Sequence, residues 1–234
     1  MCKNIIYIFL CLSIVSCSKE NPKQFKNNGY VLQIEFSKSY STIVYLSEFT
    51  QSGLKTVDST SIENNFATFR GQVANPSRYL ISTTHDSGRK VLIIANDSIQ
   101  LKINDSELSD GIISGSEIND TMIAHQKKIR RTYKKVDALF PDIQRARLAN
   151  NVSALQSISN KITKIEQEVL EINFSFVKTN QNSFISAMIL NDLSKRDSID
   201  IDKISQLYQN LSPTVKKGKD AIELESTLNA ISNH

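Results

Sequence analysis

Apolar and polar residues alternate in short runs through the first half of the chain after residue 28, and a period near 3.6 replaces that alternation in the second half. The β-prone runs are Tyr30 to Phe36, Ile43 to Glu48, Leu54 to Asp58, Phe66 to Val73, Arg78 to Thr84, Lys90 to Ile94, Ile99 to Ile103 and Gly111 to Ile113. In the first, Leu32, Ile34 and Phe36 oppose Val31, Gln33 and Glu35, the pattern of a half-buried strand. Ser52-Gly53, Asn64-Asn65, Asn75-Pro76, Ser87-Gly88 and Asn96-Asp97 separate the runs with residues that tolerate turn geometry. This spacing predicts an antiparallel β-sandwich or open barrel over 29–117.

After Ser114-Gly115-Ser116, the residues Ile118, Met122, His125, Ile129, Tyr133, Val136 and Phe140 fall on one helical arc, which Pro141 ends or bends. A longer stripe follows at Leu155, Ile158, Ile162, Ile165, Val169, Ile172 and Phe176, with spacings alternating between three and four. The two stripes are expected to close on each other as a long antiparallel helical hairpin. Further helices are expected from Ser183, a good N-cap, to Leu193, from about Asp202 to Leu211, and from Thr214 to Ile231. The expected fold class is therefore α+β, a β domain at 29–117 followed by an all-helical region at 118–234.

Residues 1–28 break from both patterns. Lys3 precedes an apolar run of eleven residues, Ile5 to Val15, about half of the roughly 20 that a membrane-crossing helix needs. Its position at the N-terminus fits an export signal at 1–16. Leu12-Ser13-Ile14-Val15-Ser16-Cys17 resembles the lipobox of bacterial lipoproteins. That resemblance implies a thioether-linked diacylglycerol on Cys17, the alternative being an ordinary cleavage site beside an unmodified cysteine. Residues 17–28 are polar and contain Pro22, as expected of a tether. Cys17-Ser18-Lys19-Glu20 also loosely resembles the signal that sends some lipoproteins to the cell surface.

The cysteine count narrows the chemistry. Of the three cysteines, Cys2 and Cys11 would leave with the signal and lipid would consume Cys17. That reading excludes a disulfide framework, a zinc–cysteine site, a Cys-x-x-Cys redox pair and a catalytic cysteine. The formal charge of +4 falls to +3 without Lys3, which implies no particular partner, and export removes nucleic acid from consideration. Apolar residues at 40% and charged residues at 22% are ordinary for a folded protein.

Weak motifs in a fixed order carry a family resemblance: Val44-Tyr45-Leu46, Val57-Asp58-Ser59, Phe69-Arg70-Gly71, Pro76 with Tyr79-Leu80-Ile81, Leu92-Ile93-Ile94 before Ile99-Gln100-Leu101, and Ser114-Gly115-Ser116 with Asn119. Together they resemble the domain of unknown function 4369, which commonly precedes a thioredoxin-like domain in exported thiol oxidoreductases of the Bacteroidetes type. Asn182 to Leu190, Leu207-Tyr208 and Leu211-Ser212-Pro213 are similar to the linker such proteins place before that domain. Asn65 departs from the family's usual Gly, a mild change because Asn also adopts positive φ, and Phe66-Ala67 displaces the customary aromatic. The sequence ends at His234, where the resemblance would start the redox domain, and it has neither Trp nor a Trp-Cys-x-x-Cys motif. The resemblance therefore implies the front half of a redox protein without its activity.

The remaining candidates are weighed against plainer roles. His125 lies in the apolar arc and reads as a core or boundary histidine rather than a ligand or base. His85, followed by Asp86 and Ser87, lacks the oriented third group that a nucleophilic triad needs. Lys127, Lys128, Arg130, Arg131, Lys134 and Lys135 form a basic face, either solvated or drawn to anionic headgroups or an acidic partner. Asp197, Asp200 and Asp202 lack the glycine and distal glutamate of a calcium loop and read as helix caps. The Leu155 to Phe176 stripe reads as internal core before it reads as a dimer seam. No catalytic, cofactor-binding or metal-binding residue is assigned, and the one site residue is the lipidated Cys17. The expectation is an envelope lipoprotein, outer-membrane on its periplasmic or outer side, that contacts lipid through Cys17 and binds a protein or small ligand without catalysis. The alternative is an accessory to a separate thioredoxin-like oxidoreductase.

Overall fold

The computed structural model describes residues 29–38, 42–50, 52–84, 88–104 and 107–232. The expected signal, Cys17 and its tether lie outside the described residues, as do His85, Asp86 and Ser87.

All eight predicted strands form: β1 (Tyr30–Phe36), β2 (Ile43–Thr50), β3 (Gly53–Ser61), β4 (Phe66–Gly71), β5 (Ser77–Thr83), β6 (Arg89–Ile94), β7 (Ser98–Ile103) and β8 (Ile112–Ser114). They make two four-stranded sheets, ordered β4-β1-β7-β8 and β3-β2-β5-β6. One core lies between them, with Leu32, Ile34, Phe69, Ile99 and Leu101 from the first sheet and Val44, Leu46, Ile81, Leu92 and Ile94 from the second. The arrangement is a sandwich without barrel closure, and it corrects one expectation, because β1 pairs with β7 in parallel, Leu32 opposite Ile99 and Ile34 opposite Leu101. The whole second sheet, together with β4, lies in the crossover that a parallel pair requires, and alternation within a strand carries no information about the direction of its neighbour.

Asn64 and Asn65 both take positive φ, 49° and 68°, in the turn between β3 and β4. Asn65 thus fills the role expected of glycine there.

The helices are α1 (Glu117–Asp137), α2 (Phe140–Leu148), α3 (Val152–Thr179), α4 (Phe184–Ser194), α5 (Ile201–Gln209) and α6 (Lys219–Ser232). Pro141 sits in the first turn of α2, where its missing N–H has no helical partner to lose, so the α1 arc bends and restarts there. α1 and α2 run antiparallel to α3. His125 Nε2 is bonded to Asn173 Oδ1 at 2.8 Å near one end, and Lys135 Nζ donates to Glu168 at 2.7 Å further along. Ile158, Ile165 and Val169 of the predicted stripe are buried within this hairpin.

Ser183 caps α4, accepting from the Ile185 N–H, and Asp200 caps α5, accepting from the Lys203 N–H at 2.9 Å. The last helix begins later than predicted. Val215–Lys217 forms a short 3₁₀ turn, Gly218 is extended, and only then does α6 start. A Cβ on Gly218 would come within 2.8 Å of the Phe184 ring, so the chain passes that ring only as glycine.

α4 is almost wholly buried and forms the hub of a second core with Phe174, Val177, Ile204, Tyr208, Val215, Leu224 and Leu228. Ile93 of β6 belongs to this core, whereas its neighbours Leu92 and Ile94 belong to the sandwich. One strand thus faces both. Among the described residues no helix is long and apolar enough to cross a membrane.

Candidate functional site: a basic cleft between sheet and helices

The outer face of the second sheet meets the helices through charge. Arg78 Nη1 on β5 donates to both carboxylate oxygens of Asp192 on α4, at 2.8 and 2.9 Å, and Nη2 pairs with Asp220 on α6. Burial opposes the guanidinium's charge, but Asp220 and Asp192 outweigh it and raise the Arg78 pKa. Asn191 Nδ2 extends the network to Asp220 and Glu223, each at 3.1 Å, and Lys195 donates to Glu223 at 2.9 Å. Burial counts against the Glu223 carboxylate, yet the Lys195 bond dominates and holds its pKa down.

A second fastening sits at the edge of the sheet. β6 is the last strand of its sheet, so the main-chain groups on its free side need partners. Asn119, in the first turn of α1, supplies both for one residue: its Oδ1 accepts from Ile93 N–H at 2.9 Å and its Nδ2 donates to Ile93 C=O at 2.7 Å. The carboxamide acts as a one-residue surrogate strand. Its Nδ2 also donates to Ser116 Oγ at 2.9 Å, and Ser116 Oγ donates to Asp97 Oδ2 at 2.7 Å. Burial pushes the Asp97 carboxyl up, against the pull of the Ser116 hydroxyl. Gly115 takes φ of +79° and passes so close to Ser98 C=O that a Cβ would lie 3.0 Å from it. The Ser114-Gly115-Ser116 and Asn119 motif is therefore a latch.

Between latch and charge network opens a cleft of about 670 Å³, walled by β6, β8, α1 and α4, a volume in the range of small-molecule sites. Its wall is apolar and open: Val91, Ile112 and Ile123 line it while remaining 46%, 59% and 40% exposed. Four cations, Lys90, Lys127, Arg130 and Arg196, accompany them, with the Arg78–Asp192 pair at one boundary. Lys90 Nζ donates to Ser109 C=O at 2.8 Å. Burial lowers its pKa, Asp110 opposes that, and Arg130 adds to it. Such a surface suits a ligand with apolar body and negative charge.

His125 also lines the cleft. It is buried, bonded to the neutral Asn173 amide and packed 4.5 Å from the Phe176 ring. Burial lowers its pKa, the Asn173 bond opposes the shift, and Lys128 adds to it. A neutral amide orients the ring without supplying the charge that a carboxylate partner would. Asp200 is the cap described above, and among the described residues no group of three or more His, Cys, Asp or Glu side chains gathers to hold a metal.

Sequence reading found Lys127 and Arg130 as part of a basic face but missed the cleft they border. The available signal was apolar residues out of phase. Ile123 lies off the Ile118–Met122–His125 arc, Ile112 adjoins the inward Ile113, and Val91 interrupts the alternation of β6.

Residues 30–122 match the family model described as Domain of unknown function (DUF4369). The β region is a DUF4369 domain. The match spans every strand and ends at Met122 within α1, so the DUF4369 domain includes the Asn119 latch and one wall of the cleft. No curated protein matches the chain.

Proposed function

We propose that the protein is a non-catalytic binding module of the cell envelope, held by lipid on Cys17 to the outer membrane, on its periplasmic side or at the cell surface. The signal-like run Ile5 to Val15 and the lipobox-like residues before Cys17 support the anchor. The observation that carries the binding role is the cleft, where three open apolar side chains lie beside four cations. The occupant is an anionic, partly apolar ligand or the acidic segment of a partner protein.

A photo-reactive residue at Ile112 tests this in the living cell. A discrete adduct that disappears when Lys127→Glu and Arg130→Glu are added supports the reading; no adduct, or one indifferent to those charges, removes it. Mass spectrometry of the mature N-terminus tests the anchor separately, and an unmodified Cys17 would end that part. The DUF4369 match favours a second reading, an accessory to a separate thioredoxin-like oxidoreductase. A thioredoxin-fold protein in the Ile112 adduct would select it.

A further inference from the structure

The hairpin reaches beyond the body of the protein. α3 has 28 residues, about 42 Å at 1.5 Å per residue. Only its C-terminal half contributes to the second core, through Phe174 and Val177. Its N-terminal half packs against α2, and α2 packs substantially against no other element. The distal half is thus a two-helix arm, closed at its end by Ala149–Asn151 with Asn150 at φ 47°.

The arm carries apolar side chains that the fold leaves open. Leu148 and Val152 flank the closing turn and are 85% and 77% exposed, and Phe140 further back is 61% exposed. Charge is concentrated behind them. From Phe140 to Ile165 there are four lysines and arginines against one aspartate, a formal +3 in a chain whose total is +4. Arg145 and Arg147 lie within one turn of the tip and Lys161 and Lys164 follow along the shaft, with Arg131, Lys134 and Lys135 of α1 at its base, all exposed. The Arg145–Asp142 and Lys135–Glu168 pairs are between exposed groups, too weak to neutralise this field.

We propose that the arm's tip docks on an anionic phospholipid surface, Leu148 and Val152 entering the acyl boundary while the basic shaft lies among the headgroups. An apolar edge backed by lysine and arginine is the arrangement that inserts about 5–10 Å into a bilayer interface. A second copy is a poor occupant, since two arms meeting tip to tip would oppose +3 with +3. A protein partner is disfavoured by area, because the end of a two-helix rod is far smaller than the roughly 800 Å² per side of a stable interface. The proposal is independent of the Cys17 anchor and of the cleft.

The chain has no tryptophan, so Leu148→Trp in the full chain places a sole indole at the tip. With vesicles of phosphatidylcholine containing phosphatidylglycerol its emission shifts to the blue and is quenched by brominated acyl chains; with phosphatidylcholine alone the affinity is about tenfold lower. Adding Arg145→Glu and Arg147→Glu, all at exposed positions, weakens binding to the mixed vesicles about tenfold with the circular dichroism unchanged. Val57→Trp on β3 serves as the control. A lipid or signal segment at the N-terminus could tether the protein without burying the tip indole, so failure of the anchor reading is told apart from failure of this one. An unshifted tip indole on mixed vesicles, an equal shift at the β3 position, or a concentration-dependent shift without vesicles overturns the proposal.

Discussion

Asn119 holds two main-chain groups of Ile93 and one side-chain oxygen, all buried, so its removal leaves polar groups with nothing in exchange. An unmade buried hydrogen bond costs about 1–3 kcal/mol. Asn119→Ala is expected to lower stability by about 2–4 kcal/mol in urea denaturation. Asn119→Asp should do no better, because a carboxylate has no N–H for the Ile93 carbonyl. His125 gives a pH signature. Its folded pKa lies below the ordinary 6.5, so the unfolded chain takes up the proton first and stability declines as pH falls below 6.5 towards that depressed value. The fall in the urea midpoint between pH 7.5 and 5 should be smaller in His125→Gln than in the parent. A slope identical to the parent's would show that the ring titrates as freely in the fold as outside it. The Asn119 motif was legible as a string but not as a latch, since its partner stands 26 positions earlier and nothing in either segment names the other.

The eight strands and the hairpin followed from period alone, because burial on one face imposes alternation on a strand and a 3.6 repeat on a helix. Pairing direction did not follow, and the parallel β1–β7 pair is where reading from local pattern stops. Gly218 shows a different limit: Thr214 to Ile231 has helical character, but the Phe184 ring in the path is a tertiary fact. Gly218→Ala should cost about 1–3 kcal/mol through that clash, and pairing it with Phe184→Leu should recover part of the loss in thermal melts. The cleft was half legible. Lys127 and Arg130 stood out by charge, whereas Val91, Ile112 and Ile123 come from three elements that meet only after folding.

The sheet and helical regions are joined by Arg78, whose partners come from α4 and α6. Arg78→Met removes the cation and leaves Asp220, whose side chain is 11% exposed, without its ion pair. With part of the network open to water, the loss expected in urea denaturation is about 1–3 kcal/mol. Lysine at the same position should restore little, because one ammonium cannot span two carboxylates as the guanidinium fork does. The strand β6 adds a second kind of union. Its side chains plug hydrophobic interiors on opposite sides, so pulling the helices away would strip the back of the sheet, and melting the sheet would unroof the helices. Cutting the polypeptide between β8 and α1 should therefore yield two sticky fragments rather than two independent folds, and calorimetry of the intact chain should register one transition.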